Sequence, residues 1–478
     1  MKYSKLFIII LSLVGLASRS SAIEETYLFE AKNGTQVQSF RGSLVVPENR
    51  VDSESRQISL TYIRFPSTSD NPGNPIVYLA GGPGGSGIET AKGRRFPLFM
   101  AMREFGDVIA LDQRGTGQSN DIPIFKSPEK APLDEALSVD AMKVGLLSAS
   151  KKAADFWKSK GVDISGYNTR ESALDLEDLR LLLGAEKLTL WGISYGSHLA
   201  MAALREMPGK IDRVVIAAVE GLEQTVKYPA RTDAYFDRLQ AAIDEDLQAA
   251  KAFPDLKDLM KRVHQKYEAE PKIVHFQSRS GEMIEMTVGK VELQLMASFM
   301  IADPDQAVNL PGLYSMLDAG DFSFVAPQIY HYIRNRGIHF RGMPEAMDIM
   351  SGVSEFRLAK IEEQSEGAIL GDLLNFPMPH LVGGMGLEDL GETFRSPLIS
   401  EVPTLALSGT LDGRTYPESA KEALAEFSNL THVIVHNGGH NVYMQDPVIS
   451  EVILNFMRGE EVATEVIVDV PSFLPQSQ

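Results

Sequence analysis

The chain has 478 residues, 44% of them apolar and 23% charged, values of a folded globular protein rather than a disordered or fibrous one. Its 46 basic and 64 acidic residues give a formal charge of −18, which argues against nucleic acid or an anionic membrane as partner. No cysteine is present, so disulfides, thiolate metal sites and a thiol nucleophile are excluded, and the length calls for a main domain with a second domain or large insertion.

Residues 1–22, "MKYSKLFIIILSLVGLASRSSA", place Lys2 and Lys5 before an apolar run from Leu6 to Ala17 that ends in small residues. This is the pattern of a cleaved export signal, and the run is shorter than the ~20 apolar residues of a spanning helix. Loss of Lys2, Lys5 and Arg19 leaves 43 basic against 64 acidic residues, a charge of −21. A periplasmic or secreted protein with no membrane anchor after cleavage is expected, and a cysteine-free exported chain suits a bacterial envelope.

Short apolar and β-branched runs follow, bounded by Gly, Pro, Asp or Asn: "SLVVPE" from Ser43, "QISLTYIRF" from Gln57, "PIVYLA" from Pro75 and "DVIALD" from Asp107. Later come "KLTLWG" from Lys187, "RVVIAAVEG" from Arg213, "PTLALSG" from Pro403 and "THVIVHNGG" from Thr431. From the third onward they are continuously apolar, as strands covered on both faces must be. Helical patterns lie between them, such as "TRESALDLEDLRLLLGA" with Gly184 as its stop, so the expected fold class is α/β, a mostly parallel eight-stranded sheet flanked by helices. Between Glu220 and about Pro397 no strand of the core type occurs, and patterns such as "DAYFDRLQAAIDEDLQAA" and "KVELQLMASFM" predict a large, mainly helical lid inserted after the sixth strand. The expected division is a signal at 1–22, a first core part at 23–221, a lid at 222–397 and a second core part at 398–478.

Gly192-Ile193-Ser194-Tyr195-Gly196 fits G-x-S-x-G between a strand and a helix. The bare motif arises by chance about 0.2 times in such a chain, and the flanking strand and helix give it its weight. There the glycines let the helix pack on the strand while Ser194 sits on a sharp turn as nucleophile. A serine hydroxyl needs a base and an orienting acid. His440, in a glycine-rich loop just past the last strand, is placed to be the base. His432 and His436 begin and end that strand and are expected to be satisfied locally, while His198 lies on the helix behind Ser194 and points away. Asp412 follows the strand from Pro403 at the required edge, whereas Glu401 precedes it and lies at the opposite edge. "LAGGPGGSG", residues 79–87, supplies one main-chain donor for an oxyanion, Gly82 N–H, and Tyr195 N–H supplies the other. Its spacing fits no phosphate-binding or dinucleotide fingerprint.

Together "GGPGGSG", "DVIALDQRGTGQS", "LTLWGISYGSHLA", "TLALSGTLDGRT" and "NGGHNVY" resemble the α/β-hydrolase family of prolyl aminopeptidases (proline iminopeptidases) and secreted tripeptidyl aminopeptidases, over roughly residues 40–220 and 398–475. The resemblance implies an α/β-hydrolase fold, the catalytic set Ser194, Asp412 and His440, oxyanion donors at Gly82 and Tyr195, and removal of residues from peptide N-termini. One departure is Ala80, where many relatives carry histidine. Asp112 and Arg114 are read as structural braces. Glu220, at the end of its strand, is a candidate partner for a substrate ammonium, against the alternative of a solvated or salt-bridged loop acid; Asp244, Glu245 and Asp246 are expected on a solvated helix face. Peptides are the expected substrates, with a carboxylesterase or lipase acting on small esters as the alternative and a non-catalytic envelope binding protein as the third reading. No metal or organic cofactor is required.

Overall fold

The computed structural model describes residues 24–474, so the expected export signal lies outside the described residues. Ten strands form the main sheet: β1 (Glu25–Glu30), β2 (Gln36–Pro47), β3 (Gln57–Phe65), β4 (Ile76–Leu79), β5 (Val108–Leu111), β6 (Leu188–Ile193), β7 (Ile211–Ala217), β8 (Thr404–Gly409), β9 (Leu430–His436) and β10 (Glu465–Ile467). Their spatial order is β1-β2-β3-β5-β4-β6-β7-β8-β9-β10. The first three strands and the β3–β5 pair run antiparallel, and every pairing from β5 to β10 is parallel.

All eight strands read from the sequence enter this sheet, and β1 and β10 extend it to ten at its two edges. These two were missed because they are short and largely exposed, and edge strands need no continuous apolar run. β6 is buried along its whole length. Its side chains alternate, Leu188 and Leu190 entering one core layer, Trp191 and Ile193 the other. Trp191 packs at 4.8 Å from the ring of Tyr78 on β4 and 4.7 Å from Phe99. Truncating this fully buried indole to alanine would cost about 3–5 kcal/mol.

Between β7 and β8 the chain is mainly helical, with helices that include Pro229–Asp244, Leu256–Ala269, Lys290–Met300 and Met343–Ser351. One antiparallel hairpin, Lys272–Gln277 with Met283–Val288, stands outside the main sheet. Tyr235, Phe236, Leu239, Met260, Leu293 and Tyr314 build a separate apolar cluster here. Glu292 and Arg334, both fully buried, pair within it; Glu292 also accepts the Leu137 N–H at 2.8 Å and Arg334 Nη2 donates to Glu135 O at 2.8 Å, so the two charges are matched, while Arg334 Nε finds no partner among the described residues.

Candidate active site

Ser194 joins β6 to the helix Tyr195–Glu206 with φ 55° and ψ −127°, a strained conformation for a residue with a side chain. The turn holds because the residues two positions away on either side, Gly192 and Gly196, have no side chain. A Cβ on Gly196 would lie 2.0 Å from the Leu79 carbonyl oxygen, and one on Gly192 2.5 Å from that of Gly196. Three hydrogen bonds lock the bend: Ser194 N–H donates to Ala217 O at 3.0 Å, Ser197 Oγ donates to Ser194 O at 2.6 Å, and Glu220 N–H donates to Ser197 Oγ at 2.8 Å.

Asp412 lies in the turn after β8, almost wholly buried. Its Oδ1 accepts the N–H groups of Arg414 (2.7 Å) and Thr415 (2.9 Å), and its Oδ2 accepts Thr415 Oγ1 at 2.6 Å. His440, beyond β9, sets Nδ1 2.9 Å from Oδ2 and 3.1 Å from Oδ1 of this carboxylate. A carboxylate only accepts, so Nδ1 carries the proton and Nε2 is left with a free lone pair. Tyr443, three residues on, donates its hydroxyl to Gly192 O at 2.7 Å, which ties the histidine loop to the serine turn. Asp412 and His440 are thus in direct contact. Ser194 stands at the same sheet edge, and among the described residues its Oγ makes no hydrogen bond; in unliganded enzymes such bonds often tighten only with substrate in place.

The glycine-rich loop after β4 lies against the serine turn, a Cβ on Gly81 falling 3.1 Å from Ser194 Cβ. Gly82 adopts φ 129°, and its N–H is unpaired among the described residues. Tyr195 opens its helix, where the first N–H groups have no partner within the helix. Asp112 holds the loop through Ser86 Oγ (2.6 Å) and Ile88 N–H (3.0 Å), and Gln113 Nε2 donates to Ala80 O at 3.1 Å. Arg114, fully buried, grips Asp175 through two bonds of 2.8 and 2.6 Å. Burial raises the Asp112 carboxyl above its ordinary range, against the hydrogen bonds from Ser86 and the loop.

The other candidates take local partners. His198 bonds Gly221 O at 3.1 Å and Ser351 Oγ at 3.0 Å, His432 bonds Ser408 Oγ at 2.9 Å, and His436 faces Glu465 at 3.8 Å. Glu401 is exposed, as are Asp244, Glu245 and Asp246. Glu220 is buried, and Lys227 Nζ sits 2.5 Å from its Oε2, so the salt-bridged alternative describes it. Sequence reasoning missed a second acid nearby, Asp348 on the helix Met343–Ser351. Its carboxyl has no hydrogen bond or ion pair among the described residues, and desolvation together with the charge of Glu220 holds its pKa well above the ordinary value. That helix docks on the serine turn through Met347 Sδ, 2.8 Å from the Tyr195 hydroxyl. Among the described residues no three His, Asp or Glu side chains converge as metal ligands.

Residues 74–447 match the alpha/beta hydrolase fold family. The chain is 30% identical over 223 residues to the serine protease Hip1 of Mycobacterium tuberculosis, covering 45% of this chain and 39% of that protein. It is 26% identical over 232 residues to a tripeptidyl aminopeptidase of Streptomyces coelicolor, covering 45% and 40% respectively. To a probable proline iminopeptidase of the same organism it is 29% identical over 153 residues, covering 32% and 35%. The matches therefore span about two fifths of the first two relatives, 39% and 40%.

Proposed function

The chain belongs to the alpha/beta hydrolase fold family, and from that premise we propose that it is an exported serine exopeptidase that releases residues from peptide N-termini. The observation that carries the reading is the Asp412–His440 pair set at the same sheet edge as the strained Ser194. His440 Nε2 takes the Ser194 proton as Oγ attacks the scissile carbonyl, and the developing oxyanion is received by the N–H groups of Gly82 and Tyr195. His440 then gives its proton to the departing amine, leaving an acyl-serine. Water, deprotonated by His440, frees the acyl group and restores the serine. Asp412 keeps the ring in the required tautomer throughout.

Peptide specificity is supported by the names of the relatives and by one unpartnered carboxyl. An ammonium group leaving water needs a carboxylate. Glu220 is engaged by Lys227, whereas Asp348 is unpartnered among the described residues, and an ammonium beside it would offset the desolvation and the Glu220 charge that raise its pKa. We assign the substrate N-terminus to Asp348, with Glu220 and Lys227 setting the charge around it. Residues 222–397 act as the lid over this edge. The leader at 1–22 directs the chain to the periplasm or outside the cell, and no helix of the described residues is long and apolar enough to cross a membrane.

The test compares turnover of a peptide amide with a free N-terminus, its N-blocked form and a short acyl ester, alongside fluorophosphonate labelling of wild type and Ser194→Ala. Labelling lost in the variant and a strong preference for the free N-terminus are expected. Preference for the ester with indifference to blocking would replace the exopeptidase with an esterase, and an unlabelled folded wild type would leave a binding protein.

A further inference from the structure

The insertion between β7 and β8 touches the Asp412 loop through Arg238, whose Nε donates to Thr410 O at 2.8 Å, and meets both the Asp412 and His440 loops at one short turn, Ile301–Pro304, directly after the helix Lys290–Met300. Ile301 O accepts the Gly413 N–H at 2.9 Å and Ala302 O accepts the His440 N–H at 2.8 Å. Asp303 accepts twice from Asn441, at 2.8 Å from its main-chain N–H and 2.7 Å from its Nδ2. From the other side Arg95 Nη2 donates to Asn441 Oδ1 at 2.9 Å. The approach is too close for side chains on the facing loops: a Cβ on Gly413 would lie 2.3 Å from Ile301 O, and one on Gly439 2.5 Å from Pro304 Cδ and 2.7 Å from Asp303 Oδ1.

We propose that Asp303 is a positioning residue which, through Asn441, fixes the imidazole of His440 against the serine turn, so that the insertion is a working part of the catalytic apparatus and not only its cover. Asp412 restrains one ring nitrogen but not the main chain that carries the ring. That main chain leaves β9 through Asn437, with φ 63°, and two glycines, a segment with little stiffness of its own. Tyr443 ties the loop to the serine turn further on and Gln445 Oε1 accepts the Gly439 N–H at 2.7 Å, while the Ile301–Pro304 turn restrains the His440 N–H itself and both N–H groups of Asn441. A displacement of about 1 Å of an acid–base group costs on the order of a hundredfold in rate.

The inference rests on the serine-hydrolase reading, and the experiment separates the two. Wild type, Asp303→Ala, Asn441→Ala and the double variant are titrated with a fluorophosphonate, and kcat per labelled site and KM are measured on p-nitrophenyl acetate, which needs no peptide recognition. Expected is a fall in kcat per site of roughly a hundredfold in each single variant, KM within about twofold, and a double variant no worse than the poorer single one. Unchanged kcat per site, with only fewer labelled molecules, would make the turn purely structural, and additive losses would break the link through Asn441; either overturns the proposal. Wild type that does not label would remove the underlying reading instead. Should Asp303→Ala fail to fold, Asp303→Asn, which keeps an oxygen for the Asn441 N–H, carries the same test: a reduced kcat per site at unchanged KM supports the proposal and wild-type turnover overturns it.

Discussion

Lys227 Nζ lies 2.5 Å from Glu220 Oε2, and the two side chains are only 16% and 8% exposed, so the acid just beyond β7 is neutralised inside the protein. Removing the cation alone leaves a buried, uncompensated carboxylate. Lys227→Met is expected to destabilise by about 3–5 kcal/mol in denaturant unfolding, and Lys227→Met with Glu220→Gln by clearly less. Equal losses in the single and double variants would show that the charge on Glu220 is not what Lys227 serves.

Asp412 holds Nδ1 of His440 as the donor, and an amide in its place would present a donor to that nitrogen. Asp412→Asn is expected to lower kcat by about 10⁴-fold with KM little changed, because the ring settles in the wrong tautomer. Steady-state kinetics on any accepted substrate checks this. Turnover near wild type would mean that another acid orients the ring.

Asp348 carries a carboxyl whose folded-state pKa is raised by burial and by Glu220, so the native state holds its proton more tightly than the unfolded chain. Its contribution to stability is therefore complete below the unfolded value of about 3.9 and is lost as pH climbs toward the folded one. Asp348→Asn should match wild type in melting temperature near pH 4 and exceed it by a few degrees at neutral pH. The same variant should raise KM for peptides with a free N-terminus roughly ten- to hundredfold and leave ester turnover intact. A loss shared equally by ester and peptide would argue against the ammonium role.

His264 is buried with Nε2 2.8 Å from the Tyr314 hydroxyl, and burial, aided by the charge of Lys290, pushes its pKa down to about 4. The unfolded chain takes up this proton below about 6.5, so stability drains as pH falls from there to about 4, by roughly 3 kcal/mol in all. His264→Gln, which cannot titrate, should flatten the stability profile across that window. Chemical denaturation at several pH values measures the slope, and an unchanged slope would place the acid sensitivity elsewhere.

The sheet and the residues of its rim were legible in the sequence because each is announced by its own neighbours. β6, Ser194 and the helix behind it follow one another without a break, and Asp412 and His440 each trail an apolar strand by a few residues. What stayed hidden depends on segments that meet only in space. Nothing near Lys227 marks it as the partner of Glu220, nothing in the helix Met343–Ser351 marks Asp348 as desolvated, and the Ile301–Pro304 turn has no motif at all. Gly413 and Gly439 were visible as glycines, but the backbone they make room for was not. The insertion's hairpin and the two edge strands were missed for another reason: their alternating or half-exposed patterns are weak beside those of the buried strands.

β7 pairs in parallel with β8 across the whole insertion. As the chain is delivered from its N-terminal end, one rim of β7 therefore waits, unzipped, until the insertion has followed and β8 can dock. A polypeptide in that state presents a sticky template to its neighbours, so the length of the insertion sets how long this exposure lasts.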